Sequence, residues 1–377
     1  MSSPSPGSVS PMAAIRTLAL VGPGAAGKTS LAEALLVKAG AIGAPGTLER
    51  GSTVSDFDPL ERKMQHSLNA AVMHLKTADT RVHFIDTPGS PDFLGQSLPA
   101  LEAVETAAVV INAATGIEPM TLRMMDYAAS RQLDRLIIVN RIDAPDVDLP
   151  GLLAQIQATF GRECLPVNLP DAGATRVVDC FFNREGHSDF GSVDDAHRAL
   201  VEQVVDVDEA WLDRYLNDGD VDATELHAPL EKALREGHLI PVCFVSARTG
   251  AGVAELLDLI VKLLPDPTEA NPPDFLNGEG ESAVAMHADP DPAKHVLAHV
   301  FKVTVDPYVG RMGIFRVWQG TVTKDSQLYI GDGRKPFKVG RLFMLQGKDT
   351  VEVASAVPGD IVAVAKVDEI HFDAVLH

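Results

Sequence analysis

Residues 22–29 have the types and the spacing needed to hold phosphate groups. Their sequence, GPGAAGKT, fits the pattern G-x-x-x-x-G-K-[ST], in which small residues let backbone N–H groups surround phosphate oxygens. Lys28 is expected to neutralise the β- and γ-phosphates of a nucleotide, and Thr29 is expected to ligate Mg²⁺. The predicted phosphate-binding residues are Gly22, Pro23, Gly24, Ala25, Ala26, Gly27, Lys28, Thr29 and Ser30.

A second motif, Asp86-Thr87-Pro88-Gly89, follows an apolar run at residues 82–85. An aspartate at the end of a strand can hold Mg²⁺ through water, and the backbone amide of Gly89 can contact the terminal phosphate. Taken alone, the tetrapeptide also suits an ordinary turn. Its position after an apolar run favours the phosphate site, with Asp86 as a metal ligand.

The motif Asn140-Arg141-Ile142-Asp143 resembles the Asn-Lys-x-Asp element by which GTPases select their base. The Asp143 carboxylate can accept hydrogen bonds from N1–H and the 2-amino group of guanine, and adenine lacks that pair of donors. Arg141 can stack its stem and planar head on the base. A fourth motif, Ser246-Ala247-Arg248, resembles the Ser-Ala loop of GTPases, which lies behind the guanine base. Four motifs in this order predict a site for GTP or GDP with Mg²⁺.

The elements that position these motifs are predicted from apolar runs. The runs that read as strands are residues 17–21, 82–85, 107–112, 136–139 and 242–245. Continuous apolar runs are typical of parallel strands covered on both faces, and their alternation with helices predicts a doubly wound α/β domain. Ligands of such domains lie beyond the carboxyl ends of the strands, where each motif falls.

The composition changes along the chain indicate several units. We expect a disordered tail at residues 1–13, a nucleotide-binding domain at 14–266, a linker at 267–293 and a small antiparallel β-barrel at 294–377. An insert at about 145–240 interrupts the first domain, and an amphipathic helix is predicted within it at 196–215.

Charge and cysteine usage narrow the functional classes. The chain has 377 residues and a formal net charge of −20, which argues against DNA binding and against nonspecific attraction to nucleic acid. No apolar run is long enough for a membrane-spanning helix. The three cysteines are odd in number and far apart, which favours a reducing compartment. We therefore expect a cytoplasmic monomer without a membrane segment.

With these motifs in place, residues 14–377 resemble the elongation factor G family of translational GTPases. Residues 58–68 are similar to the family's first switch, where Ser67 falls on the threonine that ligates Mg²⁺. Residues 86–89 followed by Asp92 and Phe93 are similar to the second switch. The resemblance implies a P-loop GTPase domain with an inserted subdomain, then a β-barrel domain, and the ribosome as partner.

The departures from the family pattern concern hydrolysis. The histidine that follows Asp-Thr-Pro-Gly in the family and orients the attacking water is replaced by Ser90. Ala25 replaces an aspartate of the phosphate loop, and Gln65 replaces a glycine of the first switch. Since such positioning groups contribute roughly 10²–10⁴-fold, slow hydrolysis is expected. The candidate catalytic residues are Lys28, Gly89 and Ser90.

Three interpretations follow from the sequence. The first is a GTPase that hydrolyses GTP on the ribosome, and the second is a nucleotide-gated binding switch with little turnover, which Ser90 favours. The third is a ribosome-protection or release-factor GTPase. The guanine element argues against a metabolic P-loop kinase. The chain's end at His377, without the family's further domains, favours a fragment of a longer protein.

Overall fold

The computed structural model describes residues 12–77, 79–218, 221, 225–277, 284–306 and 310–377. Of the tail expected at residues 1–13, only Met12 and Ala13 lie within these ranges, where they enter a turn before the first strand. None of the helices in this part of the chain is long and apolar enough to span a bilayer.

The first domain contains a large sheet, a small hairpin and surrounding helices. Its strands are β1 (Ile15–Val21), β2 (Ala71–Lys76), β3 (Arg81–Asp86), β4 (Thr106–Asn112), β5 (Asp134–Asn140), β6 (Cys164–Pro166), β7 (Asn168–Asp171), β8 (Arg176–Asp179) and β9 (Ile240–Phe244). Its helices are α1 (Lys28–Lys38), α2 (Pro59–Met64), α3 (Leu94–Leu101), α4 (Pro119–Ser130), α5 (Leu149–Phe160), α6 (Val193–Val205), α7 (Glu209–Asp218), α8 (His227–Arg235) and α9 (Val253–Lys262).

The main sheet is parallel except at one edge. Within the described residues, seven strands follow the order β2-β3-β1-β4-β5-β9-β6, and only β2 runs antiparallel to its neighbour. Every residue of β1, β4 and β9 is buried, because helices cover both faces of the sheet. The predicted doubly wound α/β fold is confirmed. The edge strand β2 was missed because its run mixes apolar residues with His74 and Lys76.

The insert expected at 145–240 is partly built into the main sheet. Strand β6 pairs in parallel with β9, whereas β7 and β8 form a separate hairpin. The single amphipathic helix expected at 196–215 is wrong in its continuity, since α6 ends at Val205 and α7 begins at Glu209. Its apolar residues, including Leu200 and Trp211, do pack into or against the core of the first domain.

The segment between the domains has structure of its own. Residues 267–293, expected to be a linker, contain the antiparallel pair β10 (Asp274–Asn277) and β11 (Val284–His287). Phe275 and Ala288 are buried against Leu297 and Trp318 of the second domain. This apolar contact explains why the segment is not a featureless connection.

The second domain is antiparallel throughout. Its strands are β12 (Leu297–Asp306), β13 (Gly310–Gln319), β14 (Val322–Thr323), β15 (Gln327–Leu328), β16 (Phe337–Lys338), β17 (Leu342–Gln346), β18 (Asp349–Val353), β19 (Ser355–Ala356), β20 (Ile361–Ala365) and β21 (Val375–Leu376). Among the described residues, its largest sheet has the order β18-β17-β20-β13-β12-β21, with short two-stranded pairs beside it. The predicted antiparallel β domain is confirmed.

A buried ion pair joins the two domains. Arg316 of β13 pairs with Glu105, which directly precedes β4, and both side chains are almost fully buried. Arg316 Nη1 also donates to Thr17 Oγ1 at 2.7 Å and to the carbonyl oxygen of Ala103 at 2.9 Å. The guanidinium lies over the indole of Trp318, 4.3 Å from the ring centroid. The network fixes the second domain against the sheet, since a buried charge requires its partner.

The second domain also covers the open edge of the main sheet. The backbone N–H of His74 in β2 donates to Gln346 Oε1 at 3.0 Å. The backbone N–H of Gly347, in the turn between β17 and β18, donates to the carbonyl oxygen of Val72 at 3.0 Å. An uncovered edge strand presents unpaired N–H and C=O groups to other chains. The turn at Gly347 therefore closes β2.

One carboxyl group at the amino end of strand β5 is buried without a hydrogen-bond partner among the described residues. Asp134, the first residue of β5, is 2% exposed, and neither of its oxygens has a hydrogen-bond partner among the described residues. Burial, reinforced by the negative charge of Glu105, raises the pKa of Asp134 to about 8. Asp134 is therefore uncharged in the folded protein at neutral pH, whereas the same group ionises near pH 4 in an unfolded chain.

Removing the cation of the interdomain pair should strongly destabilise the protein. In Arg316→Met, Glu105 remains buried without a counter-charge, and we expect a loss of about 3–5 kcal/mol in the free energy of unfolding. The matched control is Lys262→Met, which breaks an exposed pair with Asp258 on α9 and should cost at most about 1 kcal/mol. Urea unfolding followed by circular dichroism measures both. Equal losses in the two variants would contradict a structural role for the buried pair.

Asp134 should make stability depend on pH. Between about pH 4 and pH 8 the folded state keeps a proton that the unfolded state has lost, so wild-type stability falls as pH rises through this window. Asp134→Asn removes this ionisable group. The stability of the variant relative to wild type should therefore rise by more than about 1 kcal/mol from pH 4 to pH 8, because one pKa unit corresponds to about 1.4 kcal/mol. Parallel pH profiles of the two proteins would exclude this effect.

Candidate nucleotide site

The predicted phosphate-binding loop connects β1 to α1 at the carboxyl end of a central strand. Gly27 has φ 88°, and a side chain there would collide with the amide group of Asn140, so the loop requires glycine at this position. Helix α1 begins at Lys28, and its N-terminus contributes partial positive charge. The exposed residues of the loop and of the first helical turn are Gly24, Ala25 and Ser30.

Lys28 is buried inside the loop that it was predicted to serve. Its Nζ donates to the carbonyl oxygens of Gly22 at 2.9 Å and Pro23 at 2.7 Å. Burial lowers the pKa of Lys28 to about 8. Gly89 packs directly on this arrangement, since a side chain at Gly89 would overlap the backbone nitrogen of Gly24 and Lys28 Nζ. An anion placed here would supply the negative charge that the buried ammonium lacks.

The second motif forms a tight turn at the end of β3. Thr87 Oγ1 donates to the carbonyl oxygen of Leu20 in β1 at 2.7 Å. The carbonyl oxygen of Pro88 accepts a hydrogen bond from Ser97 Oγ of α3 at 2.9 Å. These contacts hold the turn between the phosphate-binding loop and α3, so the two predicted phosphate motifs are brought together.

Three oxygen-bearing side chains meet where a metal was predicted. Thr29 Oγ1 donates to Asp86 Oδ2 at 2.7 Å and lies 3.3 Å from Ser67 Oγ. Asp86 is buried, and its Oδ1 has no hydrogen-bond partner in the described part of the chain. Burial raises the pKa of Asp86, with Thr29 and Lys28 opposing the shift. A cation bound between these oxygens would remove the cost of burying this carboxylate.

The site contains one further carboxylate that the sequence did not single out. Asp56 is 2% exposed, and both of its oxygens lack hydrogen-bond partners among the described residues. Burial, followed by the charge of Asp86, raises the pKa of Asp56 to about 7. The motif spacing could not separate it from Asp58, which instead caps α2 by accepting from the N–H of Leu60.

These oxygens fit a hard divalent cation. Mg²⁺ prefers oxygen ligands from one or two carboxylates, with hydroxyls and water completing its shell. The unpartnered oxygens of Asp56 and Asp86 and the hydroxyls of Thr29 and Ser67 provide that donor set without any sulfur or imidazole. The residues present are therefore chemically suited to the predicted metal.

Asn140 connects the phosphate loop to the predicted base-binding residues. Its Nδ2 donates to the carbonyl oxygen of Ala26 at 2.9 Å, and its Oδ1 accepts from the backbone N–H groups of Arg141 at 2.8 Å and Ala247 at 3.0 Å. The side chain is buried at the carboxyl end of β5. Three of the predicted motifs thus share one amide, which fixes their relative positions.

Asp143 already has a cationic partner in this structure. Arg248 donates to its Oδ2 through Nε at 2.7 Å and also through Nη2. Burial alone would raise the pKa of Asp143, but hydrogen bonds from Ser246 and Arg248 hold it below the usual range. The Arg248 side chain is 77% exposed, so it can move away without a large loss of packing. Arg248 therefore occupies the carboxylate that would recognise guanine.

Ser90 is placed beside the site but is turned towards its own backbone. It caps the short 3₁₀ helix Pro91–Phe93, where its Oγ accepts from the N–H of Asp92 at 3.4 Å. The oxygen of a serine hydroxyl is also two bonds closer to the main chain than the Nε2 atom of an imidazole. Of the predicted catalytic residues, Lys28 and Gly89 adjoin each other, and Ser90 follows them with no outward contact to the loop among the described hydrogen bonds.

Each of the two domains matches a known protein family. Residues 13–266 match the family described as elongation factor Tu GTP binding domain. Residues 295–373 match the family described as elongation factor G domain 2. Both halves of the described structure therefore correspond to parts of translation elongation factors.

Individual proteins that are similar to this chain are also elongation factor G-like proteins. An elongation factor G-like protein of Mycobacterium tuberculosis is 31% identical over 93% of this chain and 53% of its own length. Another from Thermotoga maritima is 28% identical over 94% of this chain and 53% of its own length. A crystal structure from Thermus thermophilus superposes with a TM-score of 0.83 at 32% identity, covering 97% of this chain and 54% of the other. The chain spans about half the length of these relatives, and it belongs to the elongation factor G family of translational GTPases.

Proposed function

We propose that this chain binds GTP and GDP with Mg²⁺, hydrolyses GTP slowly and acts on or near the ribosome. One observation supports this proposal most directly. Buried charged groups lie close together at the carboxyl ends of the strands, and the protein alone does not neutralise all of their charges. Lys28 lies within the phosphate loop, the Asp86 carboxylate accepts from the hydroxyl of Thr29, and the charge of Asp86 acts on the buried carboxyl group of Asp56. A nucleotide triphosphate with a divalent cation has the charges that complete this site.

The binding roles follow from the positions of the side chains. The backbone N–H groups of residues 22–30, with the exception of Pro23, surround the phosphates, and Lys28 is their cation. Thr29, Ser67 and Asp86 are the proposed Mg²⁺ ligands, and Asp56 joins them directly or through water. The metal, when bound, neutralises charge on the phosphate oxygens. The residues proposed to hold the base are Asn140, Arg141, Asp143, Ser246 and Ala247, and Arg248 must first release the Asp143 carboxylate.

The proposed division of labour assigns nucleotide binding to residues 14–266 and a supporting contact surface to residues 294–377. Arg334 and Lys335 are exposed on the second domain and give a basic region to an otherwise acidic chain. The neighbouring Lys338 pairs with Asp325 at 2.9 Å. Arg334 and Lys335 are thus the best placed to meet ribosomal RNA phosphates. We further propose that the protein is a cytoplasmic monomer.

A second function, a nucleotide-gated switch with little turnover, is favoured by one observation. The Ser90 hydroxyl is engaged with the N–H of Asp92 and does not take over the role of the imidazole found in the family pattern. Ordering of a switch segment by a terminal phosphate requires no such group. The two functions differ in the rate of the chemical step and not in nucleotide binding.

Substitutions at the base-binding pair should act in opposite directions. Asp143→Asn should weaken GDP binding and improve binding of xanthosine diphosphate, because an amide can donate to the 2-oxo group of xanthine. Arg248→Ala should accelerate GDP association by up to about fivefold, since an ion pair whose arginine is exposed is worth about 1 kcal/mol. Stopped-flow fluorescence with labelled nucleotides measures both. Unchanged base preference in Asp143→Asn would argue against this assignment of the guanine site.

The hydrolysis rate tests the proposed activity. Single-turnover GTP cleavage should be slow in wild type, faster with bacterial ribosomes, and abolished by removing Mg²⁺ with a chelator. Ser90→His should raise the rate by at most roughly 10²-fold, the lower end of the roughly 10²–10⁴-fold that a water-positioning group contributes where none is present before. Ser90→Ala is the matched control and should remain slow. Tight GTP binding with no cleavage under any of these conditions would leave the gated switch as the function.

A further inference from the structure

His66 lies between the two segments that reach the phosphate site. It immediately precedes Ser67, whose hydroxyl is 3.3 Å from Thr29 Oγ1. On its other side the imidazole contacts the ring of Phe93, with 6.1 Å between the ring centroids. Phe93 ends the 3₁₀ helix that Ser90 caps. A histidine is therefore present where the two predicted switch segments meet, although it comes from the first segment and not from the second.

The main chain contacts one of the two ring nitrogens of His66. Its Nδ1 lies 3.3 Å from the carbonyl oxygen of Ser67. A carbonyl oxygen can only accept, so Nδ1 is the donor in this contact and Nε2 is the ring nitrogen that remains for a second partner. The ring is exposed, and none of the described hydrogen bonds or ion pairs uses Nε2. Nε2 is thus ready to accept a hydrogen bond from water.

The two neighbouring residues, Gly89 and Ser90, do not provide an imidazole nitrogen. The Ser90 hydroxyl is engaged with the N–H of Asp92. Gly89, which packs on Gly24 and Lys28, provides only its backbone. His66 belongs to the first predicted switch segment but is held next to both segments. It directly precedes Ser67, whose hydroxyl lies at the predicted metal site. Its ring also packs on Phe93, beside the turn that touches the phosphate loop.

We propose that His66 replaces the missing imidazole of the second switch and orients the attacking water during GTP hydrolysis. In this step the water oxygen forms a bond to the γ-phosphorus, and the bond from that phosphorus to the β–γ bridging oxygen breaks. The products are GDP and inorganic phosphate, and the proton of the water is released to phosphate or solvent. His66 Nε2 accepts a hydrogen bond from the water and aligns it. This inference rests on the proposed GTPase function.

The position of Phe93 gives His66 a support. An exposed side chain without a contact would lose rotamer freedom on aligning a water, and the ring contact reduces that loss. Phe93 is thus a positioning residue, which acts through His66. The two residues are expected to behave as a coupled pair.

The test compares variants of His66 under single-turnover conditions, with nucleotide affinity measured separately by fluorescent GTP. His66→Ala should slow cleavage by roughly 10²-fold or more while GTP affinity changes by less than about threefold. His66→Gln should retain part of the rate, because an amide can also orient water. His371→Ala, an exposed histidine of the second domain that contacts only its own main chain in the described bonds, is the matched control and should behave as wild type.

A rescue variant separates a chemical role from a structural one. Ser90→His in the His66→Ala background should restore cleavage, because it returns an imidazole to the same water from the second switch. Phe93→Ala should slow cleavage in wild type but add little in the His66→Ala background. Restored cleavage would not follow if His66 merely supported the fold.

The outcomes distinguish this inference from the function on which it rests. Cleavage by wild type that is unchanged in His66→Ala would overturn the role of His66 and leave the GTPase function standing. Failure of wild type to bind GTP would overturn the proposed function itself. Binding without cleavage in wild type, in Ser90→His and with ribosomes would overturn both the hydrolysis and the role of His66.

Discussion

Two carboxylates and one ammonium are buried together at the carboxyl edge of the sheet, and their charges are not matched by the protein alone. Asp56 and Asp86 have oxygens without partners in the described residues, and burial raises the pKa of each carboxyl group. Lys28 is held by carbonyl oxygens and not by a carboxylate. Such an arrangement is costly unless ions of both signs enter it. The loop at residues 22–28 holds Lys28 in place, and the anchored turn at residues 86–89 does the same for Asp86.

The second domain supports the segment that carries Ser67. The segment that carries Ser67 ends at β2, and Lys302 of the second domain donates to the carbonyl oxygen of Ala70 just before this strand. At the start of the same segment, buried Glu61 accepts from the N–H groups of Leu68 at 3.0 Å and Asn69 at 2.9 Å. Residues 58–70, which include the predicted first switch, are therefore held by the carboxylate of Glu61 and by Lys302 of the neighbouring domain.

Local patterns were sufficient for most strands of the main sheet and for the position of the glycine-rich loop. The continuous apolar runs predicted the parallel strands, and the glycine spacing predicted the loop that now encloses Lys28. Groups that depend on tertiary proximity were not predictable in the same way. Asp56 approaches Asp86 across 30 residues of chain, and Arg248 reaches Asp143 across 105, so neither spacing forms a recognisable motif. The pair of Arg316 and Glu105 crosses the two domains and has no local signature at all.

The turn at Gly347 that closes β2 affects how the two halves can be separated. A protein ending near residue 266 would present β2 as an open strand, with its N–H and C=O groups available to the same strand of a second molecule. The same truncation would remove the guanidinium that neutralises Glu105. The nucleotide-binding half would then tend to self-associate through strand addition. Any exchange of this half between proteins, by recombination or by engineering, must therefore carry along a matching β domain.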